Sequence, residues 1–142
     1  MINKEEIKFK RILTIDYGLK RVGLAYTDAL HISINYLPFL DNNDKLLDKI
    51  EYVVKNNSID IILIGKPPHI HNNEEFKNSL ELFISNIKEK LNLNVITFDE
   101  SDSTEDSYKL MAESNVKKSK RKINKDSISA GVILKNFLKE LE

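Results

Sequence analysis

The stretch KRILTIDYGLKRVGLAYT, Lys10 to Thr27, decides how the chain folds. Its branched apolar run, Ile12-Leu13-Thr14-Ile15, stops at Asp16-Tyr17-Gly18, which predicts a strand running into a turn. Val22 to Thr27 resumes the same composition and reads as the hairpin partner. Ile32 to Leu37, closed by Pro38, supplies a third strand.

Beyond this opening the apolar period changes. Leu46, Leu47, Ile50, Val53 and Val54 form the stripe of an amphipathic helix ending near Asn56-Asn57, with cap candidates among Asp41 to Asp44. Ile59 to Ile64 is almost unbroken apolar sequence, as expected of a strand covered on both faces. Pro67-Pro68 stops it, and the polar stretch from His69 to Glu75 opens a second helix whose buried stripe is Phe76, Leu80, Phe83, Ile84, Ile87 and Leu91. Val95 to Phe98 makes a fifth strand ending at Asp99-Glu100. Ser103 with Asp106 suits the cap of a further helix carrying Tyr108 and Met111. The last helix, with Asp126 as its N-cap, buries Ala130, Ile133, Leu134, Phe137, Leu138 and Leu141. The order is three strands, helix, strand, helix, strand, helix, helix: an α/β domain with an antiparallel opening and parallel crossovers, spanning 1-142.

Composition narrows the functions available. The chain has 142 residues, no cysteine, and 22 Lys+Arg against 22 Asp+Glu. Disulfide scaffolds, Cys-ligated zinc and thiol nucleophiles are excluded. No apolar run approaches the roughly 20 residues that span a bilayer, and MINKEEIKFK lacks a signal-peptide core, so a soluble cytoplasmic protein without membrane partners is expected. The neutral total is a cancellation. Asp99 to Asp106 carries five acids in eight positions and Lys117 to Lys125 six bases in nine.

Ligands of α/β sheets sit beyond the carboxyl ends of the strands, where Asp16 and the Asp99-Glu100 pair fall. Side chains alternate along a strand, so only one of Asp99 and Glu100 can join Asp16, and periodicity leaves the choice open. If Asp126 reaches the same place, three anions meet and require cations or protons. Oxygen-only ligands suit Mg²⁺ or Mn²⁺, and two such ions stabilise the attacking and leaving oxygens of a phosphodiester displacement.

Ile15-Asp16-Tyr17-Gly18, with Lys20-Arg21, Gly23, Ala25 and Asp28, resembles the opening motif of the YqgF/RuvX family of pre-16S rRNA nucleases and Holliday-junction resolvases. Further motifs follow in order: Ile64-Gly65-Lys66-Pro67, Asp99-Glu100 with Ser103-Thr104, and Lys125-Asp126-Ser127 with Ala130. The resemblance implies a ribonuclease-H-like fold with a mixed five-stranded sheet, its first three strands antiparallel and helices flanking it. It also implies that Asp16, Glu100 and Asp126 bind Mg²⁺ or Mn²⁺ and catalyse, which favours Glu100 over Asp99. The family's arginine after Asp-Glu is Ser101 here, which removes a bidentate phosphate clamp, so low intrinsic turnover is expected.

Lys117, Lys118, Lys120, Arg121, Lys122 and Lys125 stand immediately before Asp126, where cations would hold a polyanion without reading bases. His69 and His71 lack a third ligand at matching spacing and are left outside the site. The expected function is a Mg²⁺-dependent nuclease acting on structured nucleic acid as a monomer or homodimer, most simply at the 5′ end of pre-16S rRNA. The rivals are a Holliday-junction resolvase and a non-catalytic RNA-binding assembly factor. Sugar-kinase-like phosphotransfer ranks last, because it needs a second domain.

Overall fold

In the computed structural model, residues 2–68, 70–100 and 125–142 are described. The elements are β1 (Ile12–Asp16), β2 (Arg21–Thr27), β3 (Ile34–Asp41), α1 (Leu46–Asn56), β4 (Ile61–Lys66), α2 (Glu74–Leu91), β5 (Asn94–Asp99) and α3 (Lys125–Glu140), with a short 3₁₀ turn at Ile70–Asn72 before α2. The five strands form one mixed sheet in the order β3-β2-β1-β4-β5. β1 pairs antiparallel with β2 and parallel with β4, so the chain's first strand lies at the centre. The expected helix around Tyr108 and Met111 lies outside the described residues.

Strand alternation builds two cores. Leu13, Ile15, Leu24, Ile62 and Ile64 face Leu46, Ile50, Leu80, Phe83 and Ile87 of α1 and α2. Ile12, Ile61 and Leu63 face Ile133, Leu134 and Phe137 of α3. Fully burying such a side chain contributes about 1.5–3 kcal/mol, so both faces of the central strands are committed to packing. The first five residues of β4 are buried, which accounts for its unbroken apolar run.

Two local expectations are corrected. β3 does not close at Pro38 but runs through it to Asp41. It is an edge strand, and its register against β2 shifts between Val22 and Leu24, so the proline falls at an irregular step of the ladder, where a missing N–H is tolerated. The cap of α1 is Lys45, without a side-chain cap bond; Asn43 Oδ1 instead accepts from the Lys45 N–H at 2.9 Å. α2 is capped by Asn73, whose Oδ1 accepts from Phe76 N–H at 3.0 Å. No helix among the described residues is long and apolar enough to cross a membrane.

Candidate active site

Register alone places two of the predicted acids on one face. Asp16 ends β1 and has Gly23 of β2 as its Cα partner. On the other side Ile15 pairs with Ile64, so Gly65 lies next to Asp16 along β4. Gly65 in turn pairs with Phe98 of β5, and Glu100 follows Phe98 by two residues, hence on the same face. Asp99 points to the opposite face. The Glu100 N–H donates to the Lys66 carbonyl at 2.8 Å, which carries the β4–β5 ladder one residue past the strand and holds the carboxylate there.

The glycines flanking Asp16 leave room for what comes over the sheet. A Cβ on Gly65 would stand 3.2 Å from Glu100 Oε2 and 2.7 Å from Ile133 Cδ1. A Cβ on Gly23 would overlap the Asp126 carbonyl, so the first turn of α3 rests directly on the β2 backbone. Ser127, fully buried, donates from Oγ to the Leu37 carbonyl of β3 at 2.5 Å and fixes that turn. Lys125 is already helical, so Asp126 lies inside the described part of α3 instead of serving as its N-cap.

Electrostatics tie the three acids together. The Asp16 carboxyl is pushed up to about 7 from its ordinary 3.8, first by burial and next by the facing Glu100 carboxylate, with a further upward push from Asp126; a hydrogen bond from Ser129 pulls it back. Burial also raises Glu100. Arg21 reaches Asp126 from the start of β2, with Nε 3.4 Å from Oδ2. Three carboxylates with hard oxygen donors and an unbalanced negative charge are a chemically suitable set for Mg²⁺ or Mn²⁺. Among the described residues, however, no three acids or imidazoles stand close enough together to form a ready metal cage.

The other predicted residues divide simply. Lys125 is exposed at the start of α3. Lys117, Lys118, Lys120, Arg121, Lys122, Ser101 and His69 lie outside the described residues. Sequence reading missed two participants. Ser129 stands three residues after Asp126, and that helical spacing puts it on the same side of α3. Arg21 was noticed only as part of a motif, and its contact with a residue more than one hundred positions away leaves no local mark.

The model of the family described as "RuvX: Holliday junction resolvase" matches residues 10–140. The chain belongs to the RuvX family. Relatives named "Putative pre-16S rRNA nuclease" include one from Sulfurihydrogenibium sp. (strain YO3AOP1), 34% identical over 134 residues that cover 92% of this chain and 91% of the relative. Another, from Malacoplasma penetrans (strain HF-2), is 37% identical over 139 residues, covering 90% and 93%. Among solved structures, T. thermophilus RuvC in complex with Holliday junction substrate superposes with a TM-score of 0.64 at 8% identity, covering 92% of this chain and 96% of that one. The fowlpox virus Holliday junction resolvase gives 0.58 at 14% identity, covering 92% and 99%. These structural likenesses establish that this RuvX-family chain has the ribonuclease-H-like resolvase fold.

Proposed function

We propose that this chain is a divalent-metal-dependent nuclease that processes the 5′ end of precursor 16S rRNA in the cytoplasm, with Asp16, Glu100 and Asp126 as its metal-binding acids. The observation that carries the reading is the mutual electrostatic burden on Asp16, whose carboxyl is raised by burial, Glu100 and Asp126 together. A fold gains no stability from crowding anions, and a divalent cation relieves the crowding. RNA is preferred over DNA junctions because the relatives at 34% and 37% identity carry the rRNA nuclease name, whereas the junction-binding neighbour at 8% identity speaks only for fold.

When bound, divalent cations supply activation of water and charge relief for the departing ribose oxygen. The protein's part is positional. Asp16, Glu100 and Asp126 would hold the cations, Ser129 orients the Asp16 carboxylate, and the ends of β1 and β5, aligned through β4 between them, keep Asp16 and Glu100 on one face. Burial and the neighbouring carboxylates push the Asp16 carboxyl up to about 7, so part of the population holds a proton at neutral pH that Asp16 would have to give up to hold a cation.

Side-by-side incubation of a precursor 16S RNA and a four-way DNA junction with Mg²⁺, Mn²⁺ or EDTA tests the proposal. Metal-dependent cleavage of the RNA is expected. Preferential cutting of the junction would assign the resolvase function instead, and metal-independent RNA binding without turnover would make the chain an assembly factor.

A further inference from the structure

Arg21 contacts the acid site in a way its motif did not predict. It stands two residues before Gly23, the Cα partner of Asp16, and therefore shares the sheet face of the acids. Its Nε lies 3.4 Å from Asp126 Oδ2, with the arginine side chain 52% exposed and the aspartate 22%. Its guanidinium also lies over the Phe39 ring, 5.3 Å from the centroid. The head is thus held at the rim of the site by one carboxylate oxygen and one aromatic face, both weak restraints in contact with water.

A guanidinium and a divalent cation that approach the same carboxylate compete for its charge. Arginine, unlike lysine, also presents a fork of donors matched to phosphate. The position after Asp99-Glu100 is Ser101, which offers no such fork. We propose that Arg21 is an exchangeable counter-ion: it competes with divalent metal for Asp126 and, once displaced, binds a substrate phosphate beside the acids. The inference rests on the reading of Asp126 as a metal-binding acid.

The two roles predict effects of opposite sign, which a merely structural arginine would not produce. Mn²⁺ binding is measured by the electron paramagnetic resonance of the free ion for the parent, Arg21→Lys, Arg21→Gln and Asp126→Asn. Binding of a short precursor 16S RNA is followed by fluorescence anisotropy in EDTA and in Mn²⁺, with RNA integrity checked afterwards. Arg21→Gln should bind Mn²⁺ about threefold more tightly than the parent, because its competitor is gone. It should bind RNA nearly as well as the parent in EDTA but about tenfold more weakly in Mn²⁺, the loss of one charge-assisted phosphate contact. Arg21→Lys should fall between. Unchanged or weaker Mn²⁺ binding by Arg21→Gln, or an RNA loss equal in EDTA and Mn²⁺, overturns the exchange while leaving the three-acid site standing. If the parent binds no Mn²⁺, or Asp126→Asn binds it equally, the metal reading itself fails and takes the inference with it.

Discussion

At Asp16 the fold sustains a carboxyl that would ionise far more readily in the unfolded chain. Between about pH 4 and pH 7 the folded protein retains a proton that the unfolded chain has released, so stability decreases as pH rises through that window. The slope is at most about 1.4 kcal/mol per pH unit, and partial hydration of the site reduces it. Asp16→Asn removes the charge while keeping an acceptor for Ser129. In urea unfolding it should exceed the parent by on the order of 1–3 kcal/mol at pH 8 and match it near pH 4. Coincident curves at both pH values would mean that the carboxyl is hydrated like a surface one. Two residues earlier on the same face, the fully buried Thr14 hydroxyl has no hydrogen-bond partner among the described residues. Thr14→Val should therefore raise stability by about 1 kcal/mol, read from the urea midpoint, since an unsatisfied polar group gives way to a methyl.

Elements meet at the acids through backbone contact, and this makes the two glycines unequal. Gly23→Ala drives a methyl into the Asp126 carbonyl, and a helix turn anchored by Ser127 cannot yield cheaply. A loss of about 3 kcal/mol is expected, together with loss of any metal-induced rise in melting temperature, because Asp126 moves with the turn. Gly65→Ala meets the tip of Ile133, which can rotate, so the cost should be nearer 1 kcal/mol. Thermal unfolding of both variants with and without Mg²⁺ checks the order; equal losses would show that α3 adjusts over β2 as easily as a side chain turns. Since Asp126 sits within the first turn, Asp126→Asn weakens the Arg21 pair, whose guanidinium is half-exposed, and gives up a favourable helix-dipole interaction. Its stability in EDTA should fall by less than about 1 kcal/mol while the Mg²⁺-induced shift shrinks. A parent-like Mg²⁺ shift in that variant would remove Asp126 from the proposed metal site.

Across the whole molecule, formal charge cancels, so nucleic-acid affinity depends on where the cations stand. If Lys117, Lys118, Lys120, Arg121, Lys122 and Lys125 neutralise phosphates, log affinity for single-stranded RNA falls with log salt by about 0.7 per contact. Replacing Lys118, Lys120 and Arg121 by Gln should flatten that slope by about 2 without altering sequence preference, and an unchanged slope would assign the segment to ordinary solvated surface. Much of this molecule was legible in its letters. The branched apolar run Ile12 to Ile15, the stripes of Leu46 to Val54 and Phe76 to Leu91, and the double-sided run Ile61 to Ile64 are local consequences of burying apolar side chains on a strand or helix. The opening motif likewise marked Asp16, because a strand end followed by a Gly turn is a feature of adjacent residues. What neighbouring letters could not decide was the choice between Asp99 and Glu100, for alternation gives two faces and names neither. The Gly65–Phe98 register and the placement of α3 over β2 settle which face carries Asp16. The partners of Asp16 and Asp126 were hidden for the same reason: Ser129 and Arg21 meet them through packing between distant segments, and long-range register and helix docking leave no periodic trace in either segment alone.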